Sequence, residues 1–233
     1  AELHCLTAAH TDRYDQIRRQ LGDRNSSTHT GRIGDFGKRV ANERLASDAL
    51  SVELDVCTRA LADPGPFKVY THGDPCPDNC LLIDGRIHLL DFEWADVRHA
   101  LIDGVYPWIH FPSCWCVNQL PDHLPERLME TYRVALAEGI PLAGEDVHFG
   151  PGLVAACVAG FIKNYGDGVL EKDRKWGIST VRQRCLLRIR ILAKTAEQFG
   201  FPAIADVSDR LGDRLDALWS DVELMPIYPA FRS

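Results

Sequence analysis

No apolar run in these 233 residues approaches the roughly 20 residues a helix needs to cross a bilayer. No internal repeat or low-complexity tract is present, which excludes solenoid and fibrous architectures. Positive charge is in deficit, with 26 Lys and Arg against 33 Asp and Glu, and the net charge of −7 argues weakly against binding a phosphate backbone. That acidity is compatible with cationic substrates, although solubility alone accounts for it. Eight cysteines form no compact disulfide framework. Cys76 and Cys80, with His72 and His88, lack the Cys-x-x-Cys spacing of structural zinc sites, so zinc is not expected. No signal segment opens the chain, and a reducing cytoplasm is the expected location. What is present is 45% hydrophobic residues without a composition break, enough for one sizeable core.

The most informative stretch is His72-Gly73-Asp74-Pro75-Cys76-Pro77-Asp78-Asn79, followed by Asp91-Phe92-Glu93. Asp74 and Asn79 have the Asp-x-x-x-x-Asn spacing of phosphotransferase catalytic loops, and Asp91 follows where a second magnesium-binding Asp is expected. Each piece alone reads as ordinary loop chemistry, since acids beside prolines commonly cap turns. The ordered set points to phosphoryl transfer. Leu81-Leu82-Ile83, Asp84-Gly85 and Arg86-Ile87-His88-Leu89-Leu90 read as a hairpin whose two-residue turn needs positive φ. Pairing Ile83 with Arg86 and Leu82 with Ile87 brings Asn79 beside Leu90 and Asp78 beside Asp91. Cross-strand neighbours lie about 5 Å apart, so Asn79 and Asp91 are expected to share a magnesium ion, a cation that takes oxygen ligands and keeps several waters. Phe67 to Thr71 reads as a separate strand delivering Asp74, whose carboxylate would orient an acceptor hydroxyl.

These residues resemble the aminoglycoside phosphotransferase and choline kinase family, whose catalytic loop reads His-Gly-Asp, four residues, Asn, and whose metal segment reads Asp-Phe-Glu. The resemblance is tight over residues 70–103 and loose elsewhere, including Leu3 to His10 and Tyr14 to Leu21. It implies a kinase-like fold with Asp74 as catalytic base, Asn79 and Asp91 as magnesium ligands, and His72 as a loop-stabilising residue. Asp103 would brace the catalytic loop from a helix start. The implied fold class is α+β and predominantly helical, the C-terminal lobe of a protein kinase-like fold with a small catalytic β-hairpin. Residues 70–80 would form the catalytic loop, 91–93 the metal segment and about 104–233 a helical substrate subdomain. The family's N-terminal nucleotide lobe, with its phosphate-covering loop and strand lysine, is expected to be missing. Only Lys38 and Lys68 precede the catalytic loop, and neither is placed as a phosphate lysine.

Gly31-Arg32-Ile33-Gly34-Asp35-Phe36-Gly37-Lys38 contains Asp-Phe-Gly, but ahead of the catalytic loop, and it misses the phosphate-loop pattern at Arg32 and Arg39. Following Ser26-Ser27-Thr28, it reads as a polar connection. Apolar spacing predicts a helix with Leu45, Ala49, Val52, Val56 and Ala60 on one face and Leu50, Leu54, Cys57 and Leu61 beside it, stopped by Asp63-Pro64-Gly65-Pro66. Further helices are expected over 124–138, 153–163, 178–199 and 207–219, with 153–159 apolar on every side and central. Arg182, Arg184, Arg188, Arg190 and Lys194 read as a solvated helix face.

The expected function is ATP-dependent, or other nucleoside triphosphate-dependent, transfer of the γ-phosphoryl group to a hydroxyl of a small molecule. Amine-bearing acceptors such as aminoglycoside-like compounds and amino alcohols are candidates. Tyr106, Trp94, Trp108 and Trp115 would supply cation-π faces or core packing, and Glu126, Glu130, Asp146, Asp167 and Glu171 are candidate amine-binding acids. The 233 residues by themselves are expected to turn over little ATP, the missing lobe being the principal partner; neither nucleic acid nor membrane is expected to bind. The alternative is a binding or scaffold protein that keeps a kinase-like lobe without catalysis. A metal-dependent phosphoester hydrolase ranks third, lacking a further histidine and carboxylate cluster.

Overall fold

The structure is a computed structural model that describes residues 1–20 and 28–232. It is α+β and predominantly helical. Helices α1 (Glu2–Thr7), α2 (Thr11–Gln20), α3 (Thr28–Asn42) and α4 (Asp48–Ala62) precede strands β1 (Lys68–Thr71), β2 (Cys80–Ile83), β3 (Arg86–Leu89) and β4 (Asp96–His99). There follow α5 (Leu101–Gly104), α6 (His123–Gly139), α7 (Asp146–Ile162), α8 (Asp167–Glu171), β5 (Lys175–Trp176), β6 (Ser179–Thr180), α9 (Val181–Gln198) and α10 (Pro202–Leu218). The strands form three antiparallel pairs, β1 with β4, β2 with β3 and β5 with β6. Among the described residues no helix is long and apolar enough to cross a membrane.

The core is built around α7, which is apolar on every side and buried continuously from Gly152 to Phe161. Helices α3, α4 and α9 pack around it. Gly152 permits the approach of β4, because a Cβ there would stand 2.3 Å from the ring of buried His99. Local caps set several helix starts. The Ser47 hydroxyl accepts from Leu50 N at 3.2 Å ahead of α4, and Thr180 with Gln183 forms a reciprocal capping box at α9. The N-terminus of α10 is capped from another helix, the Glu53 carboxylate of α4 accepting from Ala203 N at 3.0 Å and Ile204 N at 2.8 Å.

Four sequence expectations need correction here. Gly31 to Lys38 lies inside α3, because Ile33, Phe36 and Val40 share one helical face and are buried. Each interior glycine costs a helix up to about 1 kcal/mol relative to alanine, and burying that face offsets the cost. Ser26 and Ser27, like Leu21, lie outside the described residues. On α4 the buried face is Leu50, Cys57 and Leu61, while Val52 is exposed. On α9 the solvated basic face is only partly so: Arg190 and Lys194 pair with exposed acids, whereas Arg184 and Arg188 are 0% and 1% exposed. The expected helix starts also shift. The α7 helix begins at Asp146, α9 at Val181 after the short β5–β6 pair, and α10 at Pro202, a residue that suits a first turn.

Candidate active site

Strand β1 ends at Thr71 and hands the chain to His72-Gly73-Asp74, a loop fixed by one buried carboxylate. Asp103, on α5, accepts from His72 N at 2.6 Å through Oδ2 and from Gly73 N at 2.9 Å through Oδ1. Its Oδ2 also meets His4 Nε2 of α1 at 3.2 Å. Burial alone would raise the Asp103 pKa; the His4 contact and the two loop amides outweigh it and hold the carboxyl below its ordinary range. Gly73 has φ +85°, and a Cβ there would stand 2.2 Å from the Trp94 carbonyl oxygen. Its own carbonyl accepts from the Tyr106 hydroxyl at 2.8 Å.

His72 links this loop to the hairpin. Its Nδ1 accepts from Asp74 N at 3.2 Å, leaving Nε2 to donate to the Leu90 carbonyl at 2.6 Å. Asn79 Nδ2 donates to the Asp74 carbonyl at 2.9 Å and lies 3.5 Å from its Oδ2. Asp74 Oδ1 accepts from the Ser113 hydroxyl and from the Cys76 thiol at 3.0 Å. Asp74, Asn79, His72 and Asp103 are thus one connected network.

The β2–β3 ribbon has the expected register, Ile83 opposite Arg86 and Leu82 opposite Ile87, with both turn residues at positive φ (Asp84 +49°, Gly85 +75°). Beyond the paired strands Leu90 N donates to the Asn79 carbonyl at 2.9 Å. Asp91 is the next residue. Its backbone is left-handed (φ +59°, ψ +68°), its side chain is exposed, and it forms no hydrogen bond or ion pair among the described residues. The ribbon therefore carries Asp91 one position past the Asn79–Leu90 bond without tying down its carboxylate.

Asp74 lines a cleft of about 420 Å³. Tyr106, Ser113, Trp94 and Trp176 contribute to its wall, together with Arg32 and His29 of α3, Arg98 of β4 and Lys163 at the end of α7. Desolvation, and next Arg32, pull Lys163 below the ordinary lysine range against a raising pull from Asp74. His29 is lowered to about 3, first by burial and then by Arg32, and its Nδ1 is buried without a partner among the described residues. The aromatic candidates divide: Trp94 and Tyr106 face the cleft, Trp108 is buried with Nε1 donating to Thr195 Oγ1 at 2.8 Å, and Trp115 is exposed outside it. Of the acids considered for amines, Glu126, Glu130, Asp146 and Glu171 do not line this cleft, and the Asp167 side chain is outside the described set.

Sequence reasoning missed several members. His4 gives no local signal, because its meaning depends on α1 packing beside α5. Arg32 sits in the glycine-rich stretch read as a connection. Ser113 and Cys114 belong to an irregular loop whose partners lie in the Asp74 loop. The Cys114 thiol stands 3.2 Å from Cys116 Sγ and 3.8 Å from Asp78 Oδ1. The close pairing of Cys76 with Cys114 draws the Cys114 pKa down and pushes that of Cys76 up. No family model matches the chain, and no curated protein matches it at a significant level.

Proposed function

We propose that the gene product transfers the γ-phosphoryl group of ATP, or of another nucleoside triphosphate, to a hydroxyl of a small molecule. In this reading the chain is a kinase-like C-terminal lobe and acts in the cytoplasm without nucleic acid or membrane partners. The observation that carries the proposal is Asp74, in the wall of a cleft shared with three cationic side chains, its loop fixed by Asp103 and cross-tied to Asn79.

Asp74 acts as the base and orienter. Ser113 and Cys76 occupy Oδ1, so Oδ2, with only its long Asn79 contact, is the oxygen available to an acceptor hydroxyl. A loose transition state makes that alignment more important than basicity. Asn79 and Asp91 fit a magnesium ion chemically: Asn79 spends its amide nitrogen on Asp74, keeping its oxygen for a cation, and the Asp91 carboxylate is unengaged. When bound, the ion supplies positive charge to the phosphate oxygens. Arg32, Arg98 and Lys163 add fixed positive charge on the acceptor side, where the transferring group carries its negative charge. The same lining disfavours an amine-bearing acceptor beside those cations and favours one carrying an anionic group.

The test is acceptor-dependent phosphoryl transfer by the full-length gene product with magnesium and ATP or GTP. The panel spans amino sugars, amino alcohols, macrolides, hydroxy acids and sugar phosphates. Asp74→Ala is expected to lower turnover by about 10²- to 10⁴-fold. Equal magnesium-dependent rates in both proteins would reject the assignment. Transfer to no acceptor by a correctly folded protein would favour the binding or scaffold reading.

A further inference from the structure

Adjoining the Asp74 network is a set of side chains of which only Cys76 enters the phosphoryl-transfer reading, as a donor to Asp74 Oδ1. Cys76 Sγ, Cys114 Sγ and an Asp78 carboxylate oxygen all lie within 4.8 Å of one another, and Cys116 Sγ is 3.2 Å from Cys114. They come from two loops far apart in sequence. Cys76 and Cys114 are buried, while Asp78 is exposed and opens the cluster to solvent.

We infer that Cys76, Asp78, Cys114 and Cys116 form a structural zinc site that clamps the 113–116 loop onto the catalytic loop. Tetrahedral zinc, with bonds of about 2.3 Å to sulfur and about 2.1 Å to oxygen, holds ligand atoms about 3.5–3.8 Å apart. The Cys114–Asp78 distance of 3.8 Å already fits, the Cys76–Asp78–Cys114 triad needs to close by at most about 1 Å, and the Cys116 side chain, outside that triad, has to turn in while the Cys114–Cys116 pair opens from 3.2 Å by about 0.5 Å. Three sulfurs and one carboxylate select zinc over magnesium. Loading releases three thiol protons to solvent, leaving three thiolates and a carboxylate around one dication, with a net charge of −2 on the centre.

Arg184 provides the second, independent observation. Its guanidinium is fully buried and meets no carboxylate among the described residues, donating instead to the carbonyls of Cys114 (2.7 Å), Trp115 (3.2 Å) and Trp176 (2.8 Å) and to Ser179 Oγ (3.0 Å). A buried charge needs compensation. An anionic zinc–thiolate centre beside the Cys114-Trp115-Cys116 backbone provides it, while the guanidinium fixes the carbonyls that aim both thiols. Zinc loading also takes the Cys76 sulfur out of its donor contact with Asp74, so the centre bears on the candidate base while leaving Asn79 and Asp91 to the second cation.

The test uses the full chain, reduced and metal-free, titrated with Co²⁺ and then Zn²⁺. One equivalent of Co²⁺ is expected to give sulfur-to-cobalt charge-transfer absorption and the intense visible bands of a tetrahedral ion, both erased by one equivalent of Zn²⁺. Asp78→Asn, a surface change that leaves the fold intact, is expected to weaken Co²⁺ by at least about 10-fold. Cys116→Ser is expected to reduce the charge-transfer intensity, and Cys80→Ser, outside the cluster, to change neither. Weak octahedral bands alone, bands unaffected by Asp78→Asn and Cys116→Ser, or a Cys114–Cys116 disulfide persisting under reductant in place of metal binding would overturn the site. None of these readouts depends on phosphoryl transfer.

Discussion

The two strands of chain that meet at the candidate site are held in opposite ways. The His72-Gly73-Asp74 loop is fixed from below by buried Asp103, from the side by buried Tyr106, and to the ribbon through buried His72. The ribbon that carries Asp91 shows Leu82 71% and Ile87 62% exposed, and it is held by its own pairing and turn. The difference suits the two proposed tasks: aligning a hydroxyl would demand a fixed carboxylate, whereas a cation ligand could complete its geometry when the ion arrives.

That contrast predicts a graded response to mutation. Asp103→Ala leaves two loop amides without their acceptor and should cost about 3–5 kcal/mol, read as a lowered urea midpoint with loss of transfer. Gly73→Ala forces a side chain against the Trp94 carbonyl at positive φ and should cost about 2 kcal/mol; a midpoint within error of wild type would show that the loop is less constrained than its geometry indicates.

Acid should also act on the buried side. Burial lowers His99 to about 3 and, with Arg188 adding to it, His110 to about 4. Below an unfolded histidine value near 6.5 the unfolded chain binds protons that the folded chain refuses. Stability is therefore complete above about pH 6.5 and falls by up to about 1.4 kcal/mol per pH unit for each histidine until its folded value is reached. Asp103 works at lower pH: its folded pKa is depressed, so its contribution is present above about pH 4 and disappears as pH falls through the folded value. Urea midpoints between pH 7 and 5 should decline, and a flat profile would count against neutral burial of these rings. The smallest effect belongs to the ribbon, where Leu82→Ser should alter stability by no more than about 0.5 kcal/mol.

Legibility in the sequence followed the range of the interactions. The hairpin register was readable because Asp84-Gly85 specifies its own turn, and the α7 core helix was readable from an unbroken apolar segment. The bracing role of Asp103 came with the family resemblance and coincides with its two bonds to the loop. The α3 helix was hidden because Gly31, Gly34 and Gly37 suppress the helical signal that Ile33, Phe36 and Val40 carry. Arg184 and Arg188 read as surface residues because their acceptors are mostly carbonyls of remote loops, which no charge pattern records. The cationic cleft and the thiol cluster were illegible for the same reason: each is assembled from elements that meet only through packing.

The most direct test compares Asp74→Asn with Asp91→Asn in the full-length gene product, measuring acceptor-dependent transfer as magnesium is raised. Both variants should start slow and melt with the wild type to within about 0.5 kcal/mol. Raising magnesium should restore a substantial part of the rate to Asp91→Asn and none to Asp74→Asn; equal recovery of the two, or wild-type rates in either, would contradict the division between a fixed base and an open cation ligand.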